Sequence, residues 1–126
     1  MPDQASCVDE ITNQNFTDYV RSNRYVVIDA YTNGCPACKN YEPIFESVAL
    51  AFSGSEVHFA KADLEQQQSA LKKSVGNDMR TIPLTLFYKD GKLVAQVKGC
   101  YDADRLGSAI QLYLDIAKPI TPVQKP

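Results

Sequence analysis

The chain has 126 residues, 44% of them hydrophobic, four cysteines and a formal charge of −2 at pH 7, enough to bury one core and too short for two ordinary domains. With a pI near 5.3 it offers no basic groove for nucleic acid or an anionic membrane surface. Met1 to Glu10 has neither a basic n-region nor an apolar h-region, and no apolar stretch approaches the roughly 20 residues of a membrane span. The expectation is a soluble, monomeric, cytoplasmic protein with one domain over 1–117 and a Pro-rich tail over 118–126.

Ser6 to Glu10 reads as a short first strand, and Thr12 or Asn13 as the cap of a helix that turns Phe16, Tyr19 and Val20 inward. Val26, Val27, Ile28, Ala30 and Tyr31 then form a β-branched and aromatic run with no period favouring one face, as in a central strand buried on both sides. A turn at Thr32-Asn33-Gly34 leads to Cys35-Pro36-Ala37-Cys38. Beyond it Tyr41, Ile44, Phe45, Val48 and Phe52 recur at helical intervals. Pro36 suits the first helical position, where an N–H has no intrahelical partner, so Cys35 stands at a helix N-terminus. Pro43 removes a hydrogen bond inside that helix and predicts a bend near Lys39.

Gly54-Ser55 ends the helix. Glu56 to Ala62 reads as a second buried strand and Gln66 to Val75 as a shorter helix, interrupted at Gly76-Asn77-Asp78 and followed by a loop to Pro83. Leu84 to Tyr88 and Leu93 to Lys98 flank Asp90-Gly91, which favours a type I′ hairpin. Asp102 or Asp104 starts the last helix, with Leu106, Ile110, Tyr113, Leu114 and Ala117 along one face. Lys118 to Pro126, with three prolines, reads as an extended tail. No internal repeat is present. The order β-α-β-α-β-α-β-β-α predicts an α/β fold whose central mixed sheet carries helices on both faces.

The chemistry lies in the paired thiols. Exposed N–H groups and the helix dipole stabilise an anion at Cys35, and such positions lower a cysteine pKa from about 8.5 by one unit or more. Cys38, one turn inward, is within reach: the spacing allows a disulfide that opens and closes, with Cys35 as nucleophile and the less exposed Cys38 as resolving thiol. A structural pair would be buried and inert. A zinc site would need two further ligands, and only Cys7, Cys100 and His58 are candidates, at no recognisable spacing. No metal is therefore expected, and His58 reads as a packing or surface residue. Asp29, in an otherwise apolar strand, has a pKa that burial raises, which suits proton transfer; otherwise it caps the turn.

These residues resemble the thioredoxin family from roughly Val8 to Ala117. The likeness rests on Val27-Ile28-Asp29-Ala30-Tyr31, Cys35-Pro36-Ala37-Cys38-Lys39, Pro43, Lys61, Thr81-Ile82-Pro83, Gly91 and Gly99. It implies a thioredoxin fold and a protein-disulfide reductase with no bound cofactor. Its working group would be a reversible Cys35–Cys38 disulfide, and its electrons would come from a separate flavin-dependent thioredoxin reductase. It also implies that Asp29, with Lys61 near it, assists deprotonation of Cys38. A cis Ile82–Pro83 bond would face the disulfide, and Gly34, Pro36, Thr81, Ile82, Pro83 and Gly99 would line the substrate groove, with Cys100 beside it as a candidate regulatory thiol. The chain departs from the family in having Gly34 in place of Trp before the first cysteine, Pro-Ala in place of Gly-Pro between the two, and no Trp anywhere. Ala37 offers no side-chain donor to a thiolate. The stretch from Lys61 to Pro83 has surplus length near Gly76-Asn77-Asp78. Two alternatives stand beside the reductase: a glutaredoxin-like enzyme using glutathione, against which the absence from this chain of the Gly-Gly expected after the hairpin and the extra N-terminal strand and helix both argue, and a non-catalytic thioredoxin-fold binding module.

Overall fold

A computed structural model describes residues 7–76 and 81–116. Its elements are β1 (Val8–Ile11), α1 (Phe16–Ser22), β2 (Tyr25–Tyr31), α2 (Pro36–Ala51), β3 (Val57–Asp63), α3 (Ser69–Val75), β4 (Leu84–Lys89), β5 (Lys92–Lys98) and α4 (Ala103–Leu114). They form one five-stranded sheet in the order β1-β3-β2-β4-β5. β3 runs parallel to β1 and β2, whereas β4 is antiparallel to β2 and β5. The thioredoxin fold expected from the sequence is thus present, with β2 at its centre. Asn77, Asp78, Ala117 and the tail from Lys118 to Pro126 lie outside the described residues, as does Ser6.

The pleat of β2 sorts its side chains between two cores. Val26, Ile28 and Ala30 join Phe16, Val20 and Leu71 of α1 and α3, while Tyr25 and Val27 join Tyr41, Phe45, Leu106 and Ile110 of α2 and α4. Because alternate residues share a face, Asp29 falls on the α2 side. Lys61 is its register partner on β3 and Thr85 its partner on β4. One polar row, Lys61-Asp29-Thr85, therefore crosses an apolar sheet beneath the first turns of α2.

Several local expectations need correction. The N-cap of α1 is Asn15, not Thr12 or Asn13; Thr12 and Asn15 exchange backbone-to-side-chain bonds of 2.7 and 3.1 Å ahead of the helix. Asn13 Oδ1 instead accepts from Ala70 N at 3.0 Å, capping the first turn of α3 from a distant part of the chain. The first strand starts at Val8 and reaches Ile11, whose side chains are its two buried ones. α3 begins at Ser69 because Gln66 is held in a turn, its N–H donating to Asp63 O at 3.0 Å. Tyr113 is exposed rather than inward, its ring edge-on to Phe87. Two other expected devices hold. Asp102 caps α4 by accepting from Arg105 N at 2.8 Å, and Asp90 and Gly91 both have the positive φ of a type I′ turn.

Candidate active site

Cys35 is the N-cap of α2, with Pro36 at the first helical position. Its Sγ accepts a hydrogen bond from Cys38 N at 3.0 Å, one of the otherwise unpaired N–H groups of the first turn. The same donors that cap the helix therefore stabilise negative charge on this sulfur. Cys35 and Cys38 are joined in a disulfide, with Cα atoms 5.2 Å apart. Their surroundings differ: Cys35 is half-buried, whereas Cys38 is 3% exposed. Only the first is open to an incoming substrate.

On the Cys35 side the loops meet through backbone. The Ile82–Pro83 peptide is cis; Pro83 is buried, behind half-buried Ile82 and exposed Thr81. Gly99 N donates to Pro83 O at 2.8 Å, and the next residue, Cys100, donates its thiol to Ala37 O at 3.2 Å. Cys100 is exposed and lies against the peptide between the redox cysteines. Burial, then the charge of Asp29, pushes its pKa up, so nothing there activates it as a thiolate. Gly34 and Pro36 are exposed, and a Cβ at Gly34 would meet nothing within 4 Å. Gly99 has φ +87°, a conformation that favours glycine.

Behind Cys38 lies a cavity of about 350 Å³, open to solvent on one side and lined by Asp29, Tyr31, Cys38, Glu42 and Lys61 among others. Asp29 is 4% exposed, and its Oδ1 has no hydrogen-bond partner among the described residues. Burial, reinforced by the Glu42 carboxylate and opposed by the Lys61 ammonium, pushes its pKa up to about 7. A carboxyl balanced near neutrality can both take and return a proton at working pH. Lys61 Nζ lies 3.9 Å from Glu42 Oε2. Tyr41, whose hydroxyl shares a 2.8 Å hydrogen bond with Thr85 Oγ1, has its pKa raised mainly by burial and stays protonated.

Two contributors escaped the sequence reading. Glu42 stands four residues after Cys38, a spacing that places both on one helix face, so this signal was available. Asn33 was not discernible beyond its turn. Its Nδ2 donates to Asp63 Oδ2 and to Glu65 Oε1, both at 3.1 Å, and its N–H donates to the same Glu65 oxygen at 3.2 Å. These bonds clasp the loop before Cys35 to the end of β3.

A reversible dithiol pair at a helix start on this sheet defines the class: a thiol–disulfide oxidoreductase acting on protein disulfides. The sequence pattern of the Thioredoxin family matches residues 7–112. Thioredoxin from Malassezia sympodialis is 33% identical over 95 residues, covering 75% of this chain and 87% of its own length. Thioredoxin from Mycoplasmoides gallisepticum is 39% identical over 84 residues, covering 66% and 79%. The short form of thioredoxin f from spinach chloroplast superposes with a TM-score of 0.73 at 30% identity, over 90% of this chain and 98% of that one. The chain belongs to the thioredoxin family.

Proposed function

We propose that the chain works as a reductase of protein disulfides, with the two cysteines in unequal roles. The Cys35 thiolate attacks one sulfur of the substrate disulfide and expels the other as thiolate, leaving a mixed disulfide. Cys38 then passes its proton to the Asp29 carboxylate and attacks Cys35 Sγ. This closes the Cys35–Cys38 bond and expels the second substrate sulfur as thiolate, so two electrons have moved to the substrate. Lys61 tunes Asp29, and an extended substrate segment lies along Gly34, Pro36, Thr81, Ile82, Pro83 and Gly99. The observation that carries this reading is the contrast between a half-buried Cys35 at the helix start and a buried Cys38 sharing a cavity with Asp29.

The chain is read as a cytoplasmic monomer, one domain over 1–117, that a separate flavin-dependent thioredoxin reductase returns to the dithiol form. Insulin-type turnover with that reductase, set against turnover with glutathione, tests the donor. A reduction potential measured in a glutathione or dithiothreitol buffer decides the direction. A potential near thioredoxin's, about −270 mV, supports the reductase, and one near that of a strong oxidase, about −120 mV, overturns it.

A further inference from the structure

The cavity behind Cys38 holds one charge for which the reaction just described has no use. Glu42 lies one helical turn beyond Cys38, lines the same cavity as Asp29 and Lys61, and reaches within 3.9 Å of the Lys61 ammonium. Lys61 is the strand partner of Asp29 and on the same face of the sheet, so it is the natural counter-charge for that acid. Its ion pair is made with Glu42, while Asp29 Oδ1 is left without a hydrogen-bond partner among the described residues. Two carboxyl groups thus compete for one ammonium across a shared space.

We propose that Glu42 is a positioning residue for the proton exchanged between Asp29 and Cys38: it draws the Lys61 ammonium toward itself and faces Asp29 with a charge of the same sign. The inference rests on the reading of Asp29 as the base for Cys38.

The electrostatics agree with this geometry. After burial, the Glu42 charge is the largest influence raising the Asp29 pKa, and it precedes the opposing influence of Lys61. The other titratable groups facing Asp29 are Tyr31 on β2, Cys38 and Tyr41 on α2, and Cys100 ahead of α4. Tyr31, Tyr41 and Cys100 all have pKa values pushed upward and are neutral at pH 7. Lys39 also lines the cavity, from its exposed rim. Glu42 and Lys61 are therefore the charges that set the field at Asp29, and a like charge favours the protonated acid.

The test is a ¹³C NMR titration of the Asp29 carboxyl in the full chain, paired with the pH profile of Cys38 resolution in single turnover. Glu42 is more than half exposed, at 56%, so Glu42→Gln leaves the fold intact. It should lower the Asp29 midpoint by about half a pH unit or more. The acid limb of the resolving-rate profile should move the same way, a gain of about threefold below the midpoint. Lys61→Met should move both upward, and in that background the Glu42→Gln shift should shrink. It should shrink again in 1 M salt, where the screening length falls to about 3 Å. An Asp29 midpoint unmoved by Glu42→Gln, in a protein whose resolving profile still tracks Asp29, overturns the inference alone. A midpoint that moves while the resolving profile stays fixed overturns the reading of Asp29 beneath it.

Discussion

Toward Cys35 the redox helix opens onto a surface made largely of backbone: Gly34 with free space at its Cα, the Pro83 carbonyl engaged by Gly99, and the Ala37 carbonyl engaged by Cys100. Toward Cys38 it closes over side chains, with Asp29, Glu42 and Lys61 gathered around a cavity. Backbone surfaces recognise main chain and tolerate varied substrate side chains. A cluster of charges around a buried acid depends on each member, because removing one changes the field at the others. Changes on the groove side should therefore alter substrate affinity, and changes on the cavity side should alter rate and pH dependence.

The largest effect tests the contrast itself. Cys35→Ser should reduce disulfide turnover to background, whereas Cys38→Ser should accumulate a covalent adduct with substrate, visible by mass spectrometry. Equal residual turnover in both variants, with no adduct, removes the asymmetry.

Next comes the acid in the cavity. Asp29→Asn should slow resolution at pH 7 by about tenfold or more while leaving the initial attack unchanged; stopped-flow single turnover separates the two steps. The same carboxyl carries a stability prediction. Its folded pKa, about 7, lies above the ordinary 3.8, so its contribution to stability is fully present below about pH 4 and is lost as the pH rises through 7. At 1.36 kcal/mol per pH unit the full difference is about 4 kcal/mol. Denaturant melts should find Asp29→Asn near neutral at pH 4 and stabilising by a few kcal/mol at pH 8. A variant equally stable relative to wild type at both pH values contradicts the buried-acid account.

On the open side the effect is smaller and of another kind. Gly34 lies outside the positive-φ glycines and has empty space at its Cβ position, so neither backbone nor packing requires glycine there. Gly34→Trp should keep the melting temperature and kcat while shifting KM several-fold, in a direction that depends on the substrate. A loss of kcat with KM unchanged places this loop in the chemistry instead.

The same division marks what the sequence disclosed. The apolar run of β2, the N-terminal proline of α2 and the Asp90-Gly91 hairpin are local signals, written in propensity and spacing, and the fold follows from their order. Asp29 stood out as a lone carboxylate. The resemblance put Lys61 near Asp29, and the strand register bears that out. What stayed hidden depends on contacts between distant segments: that Asn33 clasps Asp63 and Glu65, and that Asn13 caps α3 rather than α1. Asn13 and Asn15 are equally good caps by residue type, and only the packing of α1 against α3 assigns each its helix. Tyr113 fits the apolar stripe of α4 by spacing, yet it lies at the edge of that stripe, exposed beside the fully buried Leu114, and its ring meets Phe87 only edge-on.

Cys100 offers the smallest and most selective test. It touches the peptide between the redox cysteines through Ala37 O, so its position is on the groove, but its pKa is raised rather than lowered. A thiol in that state is a poor nucleophile at neutral pH, and Cys38, bonded to Cys35 in the structure, already supplies the resolving sulfur. Cys100→Ser should therefore retain most disulfide-reductase activity. Exposure still leaves Cys100 open to a small-molecule disulfide such as oxidised glutathione: exchange would form a Cys100 mixed disulfide and release one glutathione thiolate. The adduct would stand beside the groove and raise KM without changing Cys38. Cys7 is the other exposed free cysteine among the described residues, so peptide mapping by mass spectrometry after mild oxidation must distinguish the two. Modification at Cys7 alone, with Cys100 intact and Cys35 paired to Cys38, would mean that the contact with Ala37 shields this thiol and that the groove carries no third reactive sulfur.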